Sequence, residues 1–148
     1  MPSQTFILLK PDALERDLTQ EIFAMITDHG FTVTTQAQRR VEATQIVKHY
    51  DEVIKRIGVK TFKPKVLQEF VGKNVVIALC EHPSPNAIEA MRQLIGATDP
   101  LLAKKETIRG RFGVDTLTQA RLEGRMLRNL IHASETLDDF TRELALWF

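Results

Sequence analysis

Four short runs of apolar and β-branched residues recur along the chain, and segments with helical periodicity separate them. The strand-like runs cover residues 5–9, 31–41, 74–80 and 130–132. Helices are predicted around residues 22–26 up to Gly30 and at 44–50, 51–57, 64–71, 86–95 and 137–148. This order predicts an α+β fold of the ferredoxin-like, split βαβ type: a four-stranded antiparallel sheet with helices packed on it. One face of the sheet is expected to remain available for a ligand or a partner subunit.

Two turn signals surround the start of the first helical segment. Lys10-Pro11-Asp12 predicts a turn directly after the first strand. Asp17, followed three residues later by Gln20, resembles a capping box and predicts the beginning of the helix.

Length and composition restrict the class of protein. The 148 residues contain neither a linker nor a repeat, so a single domain spanning 1–148 is predicted. The net charge of +1, from 20 basic and 19 acidic residues, argues against a dedicated nucleic-acid binder. Cys80 is the only cysteine, which excludes an internal disulfide. Because neither a signal peptide nor a long apolar run is found, we expect a cytoplasmic enzyme without a membrane span.

Several familiar ligand-binding motifs are missing from the sequence. Gly72-Lys73 has no upstream glycine at the spacing of a phosphate-binding loop, and no dinucleotide-type glycine pattern occurs. The absence of paired cysteines and of HExxH argues against zinc. Residues 109–114 superficially resemble an RNA-binding strand, but Arg111 stands where an aromatic ring should stack on a base.

Four histidines are candidates for chemistry. His29 ends a helix, His49 is expected to be solvated in a polar helix, and His82 lies in a turn. His132 differs because it follows two apolar residues on a short strand and precedes small and polar residues. Its spacing alone favours a structural role, although the end of a strand is also where a side chain can face a cleft.

Other residues favour a chemical role for His132. Glu143, on the following helix, could hold one ring N–H and leave the other nitrogen's lone pair free for attack. The alternative is a surface glutamate that pairs with Arg142 or solvent. Three cations, Lys10, Arg92 and Arg109, stand near turns, and together with Thr98 they suit a triphosphate that lacks a phosphate-binding loop.

The motifs then match a known family in order. They are Leu8-Leu9-Lys10-Pro11-Asp12-Ala13, Gly96-Ala97-Thr98-Asp99-Pro100, Thr107-Ile108-Arg109-Gly110, Asn129-Leu130-Ile131-His132-Ala133-Ser134 and Leu146-Trp147-Phe148. From about Thr5 to Phe148 the chain resembles a nucleoside diphosphate kinase.

The resemblance implies a role for each matching position. His132 matches the phosphohistidine nucleophile, Glu143 the carboxylate that orients it, and Ser134 a hydroxyl bound to that carboxylate. The positions implied around the phosphates and the histidine are Lys10, Tyr50, Arg92, Thr98 and Arg109. Lys10 and Asn129 match groups on the ribose side, and Phe62 matches the ring on which the base stacks.

The resemblance also implies the reaction and its partners. A nucleoside triphosphate phosphorylates the histidine, and a different nucleoside diphosphate then takes the phosphate, in a ping-pong mechanism. The implied cofactor is Mg²⁺, carried by the nucleotide rather than by a protein metal site. Stacking without base-edge contacts implies broad nucleotide use. A homo-oligomer, tetramer or hexamer, is expected, with contacts from the C-terminal tail and residues 98–105.

The chain departs from the family pattern mainly in one connection. Residues 113–128 are longer than the usual segment, so an inserted loop is predicted there. Either Thr116 or Met126 would face the second side of the base, depending on the end from which the insertion is counted. Ala133 replaces a usual glycine. The alternative hypothesis is therefore a catalytically impaired homologue on the same fold that binds nucleotide or nucleic acid.

Overall fold

The four predicted strands form one antiparallel sheet in a computed structural model that describes all 148 residues. The strands are β1 (Ser3–Leu9), β2 (Thr32–Arg40), β3 (Asn74–His82) and β4 (Ile131–Ala133). Their order is β2-β3-β1-β4, so β1 is central and pairs antiparallel with both β3 and β4. This arrangement confirms the predicted fold class.

Nine helices connect and cover the strands. They are α1 (Pro11–Glu15), α2 (Thr19–Asp28), α3 (Ala43–His49), α4 (Asp51–Ile57), α5 (Lys63–Phe70), α6 (Ala87–Ile95), α7 (Ile108–Phe112), α8 (Leu117–Glu123) and α9 (Leu137–Trp147). A single 3₁₀ turn, Pro100–Leu102, lies between α6 and α7. No helix combines the length and the apolar composition that a membrane crossing requires.

Alternate residues of β1 enter two different cores. Ile7 and Leu9 pack with apolar residues of α2 and α6, whereas Phe6 and Leu8 pack with residues of α3, α5 and α9. Because successive side chains of a strand point to opposite faces, helices must cover both sides of the sheet. The expectation of a face left free for a ligand or a partner was therefore wrong.

Three of the differences between the predicted and the observed boundaries have a local cause in the backbone. The turn expected at Lys10-Pro11-Asp12 continues into α1, with Pro11 in its first turn. The capping box at Asp17 does not form, because Asp17 has a φ of +56° and α2 begins after Leu18 without a side-chain cap. The last strand begins one residue late, because Leu130 has a φ of +75°, outside the β region.

Sequence periodicity also missed two short helices. The side chains of Thr107 and Thr116 accept hydrogen bonds from the backbone N–H groups of Gly110 and Gln119, and so cap the beginnings of α7 and α8. Both helices are too short to reveal an apolar stripe.

The packing of α7 makes Gly110 a sensitive position. A Cβ at Gly110 would lie 1.9 Å from the carbonyl oxygen of Lys104, whereas one at Gly124 would meet nothing within 4 Å. We expect Gly110→Ala to lower the free energy of unfolding by about 3 kcal/mol or more through overpacking. Gly124→Ala, with a φ of +67°, should cost about 1 kcal/mol. Urea unfolding of both variants tests this, and equal losses would contradict it.

Candidate active site

His132 is held by a buried carboxylate behind it. Its Nε2–H donates to Glu143 Oε2 at 2.6 Å, and the Ser134 hydroxyl donates to Oε1 of the same carboxylate at 2.6 Å. Since a carboxylate only accepts, this contact fixes the proton of the neutral ring on Nε2 and leaves the lone pair on Nδ1. The alternative of a surface glutamate was wrong, because Glu143 is buried; Arg142 approaches it only to 3.9 Å.

Electrostatics keep this imidazole uncharged. Burial, followed by the positive charges of Lys10 and Arg109, lowers the pKa of His132 to about 3. Burial also raises the pKa of the Glu143 carboxyl, against the opposing effects of His49 and of the Ser134 hydrogen bond. A neutral histidine with a free Nδ1 lone pair is in the state required of a nucleophile.

A cleft with a volume of about 890 Å³ opens in front of His132. The structure brings most of the predicted site residues to its walls: Lys10, Tyr50, Phe62, Arg92, Thr98, Arg109, Asn129 and His132. Glu143 and Ser134 do not line the cleft: Glu143 contacts His132 from the protein side, and Ser134 donates to Glu143.

Lys10 and Asn129 form a short hydrogen-bonded chain at the wall of the cleft. Lys10 Nζ donates to Asn129 Oδ1 at 2.7 Å, and Asn129 Nδ2 donates to the carbonyl oxygen of Thr98 at 2.9 Å. Burial lowers the pKa of Lys10 to about 8, with Arg109 acting in the same direction and Asp12 opposing both. The ammonium is therefore charged at neutral pH but close to losing its proton.

Arg109 connects the cleft to the backbone that leads into β4. Its guanidinium donates to the carbonyl oxygens of Asn129 at 3.2 Å, Gly96 at 3.1 Å and Ile131 at 2.6 Å. Burial lowers its pKa to about 10, so it remains charged at neutral pH. Three of its five N–H groups are thus used for positioning, and two remain for an anion in the cleft.

Two aromatic rings lie on the same side of the cleft. Tyr50 is buried, with its ring centroid 6.4 Å from that of His132, and burial raises the pKa of its phenol, which keeps the hydroxyl a donor. Phe62, just before α5, lies 6.5 Å from Tyr50 between ring centroids. Arg92 reaches the cleft from α6.

The inserted segment contributes α8 to the wall of the cleft. Leu117, Ala120 and Arg121 of α8 line it together with Met126, while Thr116 caps the helix and is absent from the lining. Of the two residues considered for the second side of the base, the structure therefore places only Met126 at the cleft. The segment does not fill the cleft, which has a volume of about 890 Å³ with the segment in place.

His49 is the site residue that sequence reasoning missed. The expectation that it is solvated was wrong, because its ring is buried and its centroid lies 4.4 Å from that of His132. The available signal was its position next to Tyr50, at the end of a helix whose Ile46 is also buried. The burial of His49 depends on the packing of α9 against α3, and the sequence pattern does not predict that packing.

A neutral imidazole with cations beside it suits the transfer of a phosphoryl group, whose charge must be met by donors. The family model described as nucleoside diphosphate kinase matches residues 3–148. A relative of that name from Mycobacterium avium is 37% identical over 149 residues, covering 100% of this chain and 98% of the relative. Nucleoside diphosphate kinase 1 of Spinacia oleracea is 34% identical, covering 98% of this chain and 87% of its own length.

Solved structures agree with the sequence comparison. A transition-state mimic of a nucleoside-diphosphate kinase from Borrelia burgdorferi, with bound vanadate and ADP, superposes with a TM-score of 0.91 at 28% identity, covering 99% of this chain and 87% of the other. An NDP kinase from Pyrobaculum aerophilum superposes with a TM-score of 0.87 at 25% identity, covering 100% and 96%.

The environment of His132 predicts a ring that stays neutral in mild acid. Its pKa of about 3 lies below the value of about 6.5 for an unfolded histidine, so the unfolded chain takes up the proton first. This histidine's contribution to stability is therefore complete above about pH 6.5 and is lost as the pH falls toward about 3. NMR of the ring protons should detect no titration of His132 between pH 5 and pH 8; a midpoint within that range would contradict the prediction.

Proposed function

The chain belongs to the nucleoside diphosphate kinase family and transfers phosphate between nucleotides, and we propose that it does so through a phosphohistidine at His132. The observation that carries the proposal is the contact of 2.6 Å between His132 Nε2 and Glu143, which leaves Nδ1 as the free nitrogen. Ser134 holds the second oxygen of the same carboxylate at 2.6 Å, so the ring and its orienting group are fixed together.

In the first half-reaction, the Nδ1 lone pair attacks the γ-phosphorus of a nucleoside triphosphate. An N–P bond forms as the bond to the bridging oxygen breaks, and the electron pair leaves with the nucleoside diphosphate. No proton has to leave Nδ1, and Glu143 balances the positive charge that develops on the ring. In the second half-reaction, a terminal oxygen of another nucleoside diphosphate attacks the same phosphorus and releases the histidine.

The cleft residues act on the charge of the transferring group. Lys10, Arg92 and Arg109 neutralise the phosphate oxygens, and the hydroxyls of Tyr50 and Thr98 donate to them. Positioning and charge stabilisation provide most of the catalysis in phosphoryl transfer, so a preformed wall of donors is the main contribution of the protein.

The nucleoside binds at the outer part of the same cleft. Phe62 stacks on the base, Met126 and the wall formed by α8 face its other side, and Lys10 with Asn129 binds the ribose. Because every base offers a π-face, a stacking contact discriminates weakly among bases, and broad nucleotide use follows. The segment 113–128 is thus an insertion that extends the base end of the site.

Nucleotide kinases generally need a divalent metal, and here Mg²⁺ enters as part of the nucleotide complex. The one group of side chains close enough to share an ion is His49, His132 and Glu143, and its donors include two imidazole nitrogens. Mg²⁺ prefers oxygen ligands and retains water, which phosphate oxygens allow and this buried group does not.

The active protein is a homo-oligomer, a tetramer or a hexamer, in the cytoplasm. Two observations support self-association: Leu101 and Leu102 are exposed in the segment after Thr98, and β2 is an edge strand.

A labelling experiment tests the nucleophile. Incubation with γ-labelled nucleoside triphosphate should give an acid-labile phosphoprotein that passes its label to an added diphosphate. His132→Asn should reduce the rate by a factor on the order of 10⁴ or more, since it removes the attacking atom. His29→Asn is the matched control, because His29 is exposed at the end of α2 and contacts the Met25 carbonyl oxygen; it should label normally. Full activity of His132→Asn would overturn the proposal.

The pKa of Lys10 predicts where activity falls in base. Because this pKa is about 8, the ammonium loses its charge as the pH rises through that value, and kcat/KM should decline above it. Lys10→Gln should lower kcat/KM about tenfold or more at pH 7 and abolish the decline. Lys55→Gln, at an exposed pair with Asp51, is the control that retains the decline. An unchanged pH profile in Lys10→Gln would refute this assignment.

A further inference from the structure

A second imidazole lies directly against the nucleophile. The ring of His49 packs edge-on to that of His132, with 4.4 Å between centroids and an interplanar angle of 75°. His49 Nδ1 is also 4.0 Å from Glu143 Oε2, the oxygen that receives the proton of His132. Two imidazoles thus lie near one acceptor, and only one of them is hydrogen-bonded to it.

Trp147 determines which nitrogen of His49 carries a proton. Its Nε1–H donates to His49 Nδ1 at 3.0 Å, and both side chains are buried. An indole N–H only donates, so Nδ1 must present its lone pair, and the neutral ring carries its proton on Nε2. Burial also lowers the pKa of His49 well below its usual value, so a doubly protonated ring is disfavoured.

The other tautomer would interfere with the nucleophile. With a proton on Nδ1, His49 would direct a donor toward Glu143 Oε2 from 4.0 Å and compete with the Nε2–H of His132. His132 could then lose the contact that keeps its own proton away from Nδ1. A small movement of either side chain would suffice, because the distance exceeds a hydrogen bond by little.

We propose that Trp147 acts as a positioning residue that locks His49 in the Nε2–H tautomer, so that Glu143 Oε2 is reserved for His132. Neither His49 nor Trp147 lines the cleft, so the role of Trp147 would be exerted through His132 and Glu143. The inference deepens the proposed function and rests on His132 being the nucleophile.

A buried, unpartnered donor is the cost of this arrangement. His49 Nε2 has no hydrogen-bond partner, and leaving such a group unpaired in the interior costs about 1–3 kcal/mol. The tautomer with a proton on Nδ1 would leave Nε2 as an unpaired acceptor instead, and its Nδ1–H would face the Trp147 N–H donor to donor. The structure therefore keeps the tautomer that protects Glu143.

The tautomer can be read directly in the wild-type protein. In ¹⁵N NMR of the histidine rings at pH 7, His49 Nδ1 should have the shift of an unprotonated, hydrogen-bond-accepting nitrogen, and Nε2 that of a protonated one. A proton on Nδ1 of His49, or a doubly protonated ring, would overturn the inference. This measurement needs no variant and does not depend on activity.

Three variants test the consequence for the reaction. Trp147→Phe keeps a ring but removes the donor, and should slow phosphohistidine formation about tenfold, the factor expected for one ordinary hydrogen bond. The loss should appear in kcat and not in KM. His49→Phe combined with Trp147→Phe removes the competing donor as well, and should recover a rate within about threefold of wild type, because replacing both partners by apolar rings can be nearly neutral.

The rates of the single and double variants distinguish a positioning role of Trp147 from a packing role. A double variant as slow as Trp147→Phe, or a Trp147→Phe protein as fast as wild type, would assign Trp147 a packing role only. His49→Phe alone, which leaves the Trp147 donor unpaired, serves as the control for lost stability, measured by urea unfolding. Absence of any label on wild-type His132 would instead refute the proposed function, whatever the tautomer of His49.

Discussion

The site depends on the two hydrogen bonds that the Glu143 carboxylate accepts. This carboxylate lies buried between α9 and β4, where its two oxygens receive the proton of His132 and the hydroxyl of Ser134. A buried charge is tolerated only when its hydrogen bonds are satisfied, so the helix, the strand and the ring must keep one relative position. The same contact sets the tautomer of His132, so the packing of α9 also determines which ring nitrogen is free.

The backbone ahead of His132 is under a second constraint. Leu130 has a φ of +75°, and Ile131 N–H donates to Asn129 O at 2.9 Å, which makes a strained γ-turn. Asp12 accepts from Leu130 N–H at 3.1 Å, while Arg109 holds the carbonyl oxygens on either side. A residue with a side chain is strained in this turn. The surrounding hydrogen bonds hold the strained backbone where it leads into β4, beside the cleft.

The sequence predicted the fold well where periodicity carries the signal. All four strands and the longer helices were found, because apolar alternation and helical stripes follow directly from burial, whereas the short helices α1, α7 and α8 were not. The positive φ of Leu130 was not predictable, since a leucine gives no sign of it and long-range contacts impose it. His49 was misjudged for a related reason: its burial arises only when α9 places Trp147 on it. The predicted cations and aromatic rings do meet in one cleft.

The topology also determines when the site comes into existence during synthesis. His132 pairs with Leu8 across β1 and β4, and its carboxylate partner comes from α9, so residues far apart in the chain must be present together. During synthesis β1 leaves the ribosome long before β4 and α9. The central strand can therefore pair with β3 before its second partner, β4, exists. The ring of His132 is therefore oriented last, because a nascent chain that still lacks α9 has no Glu143 carboxylate to hold it.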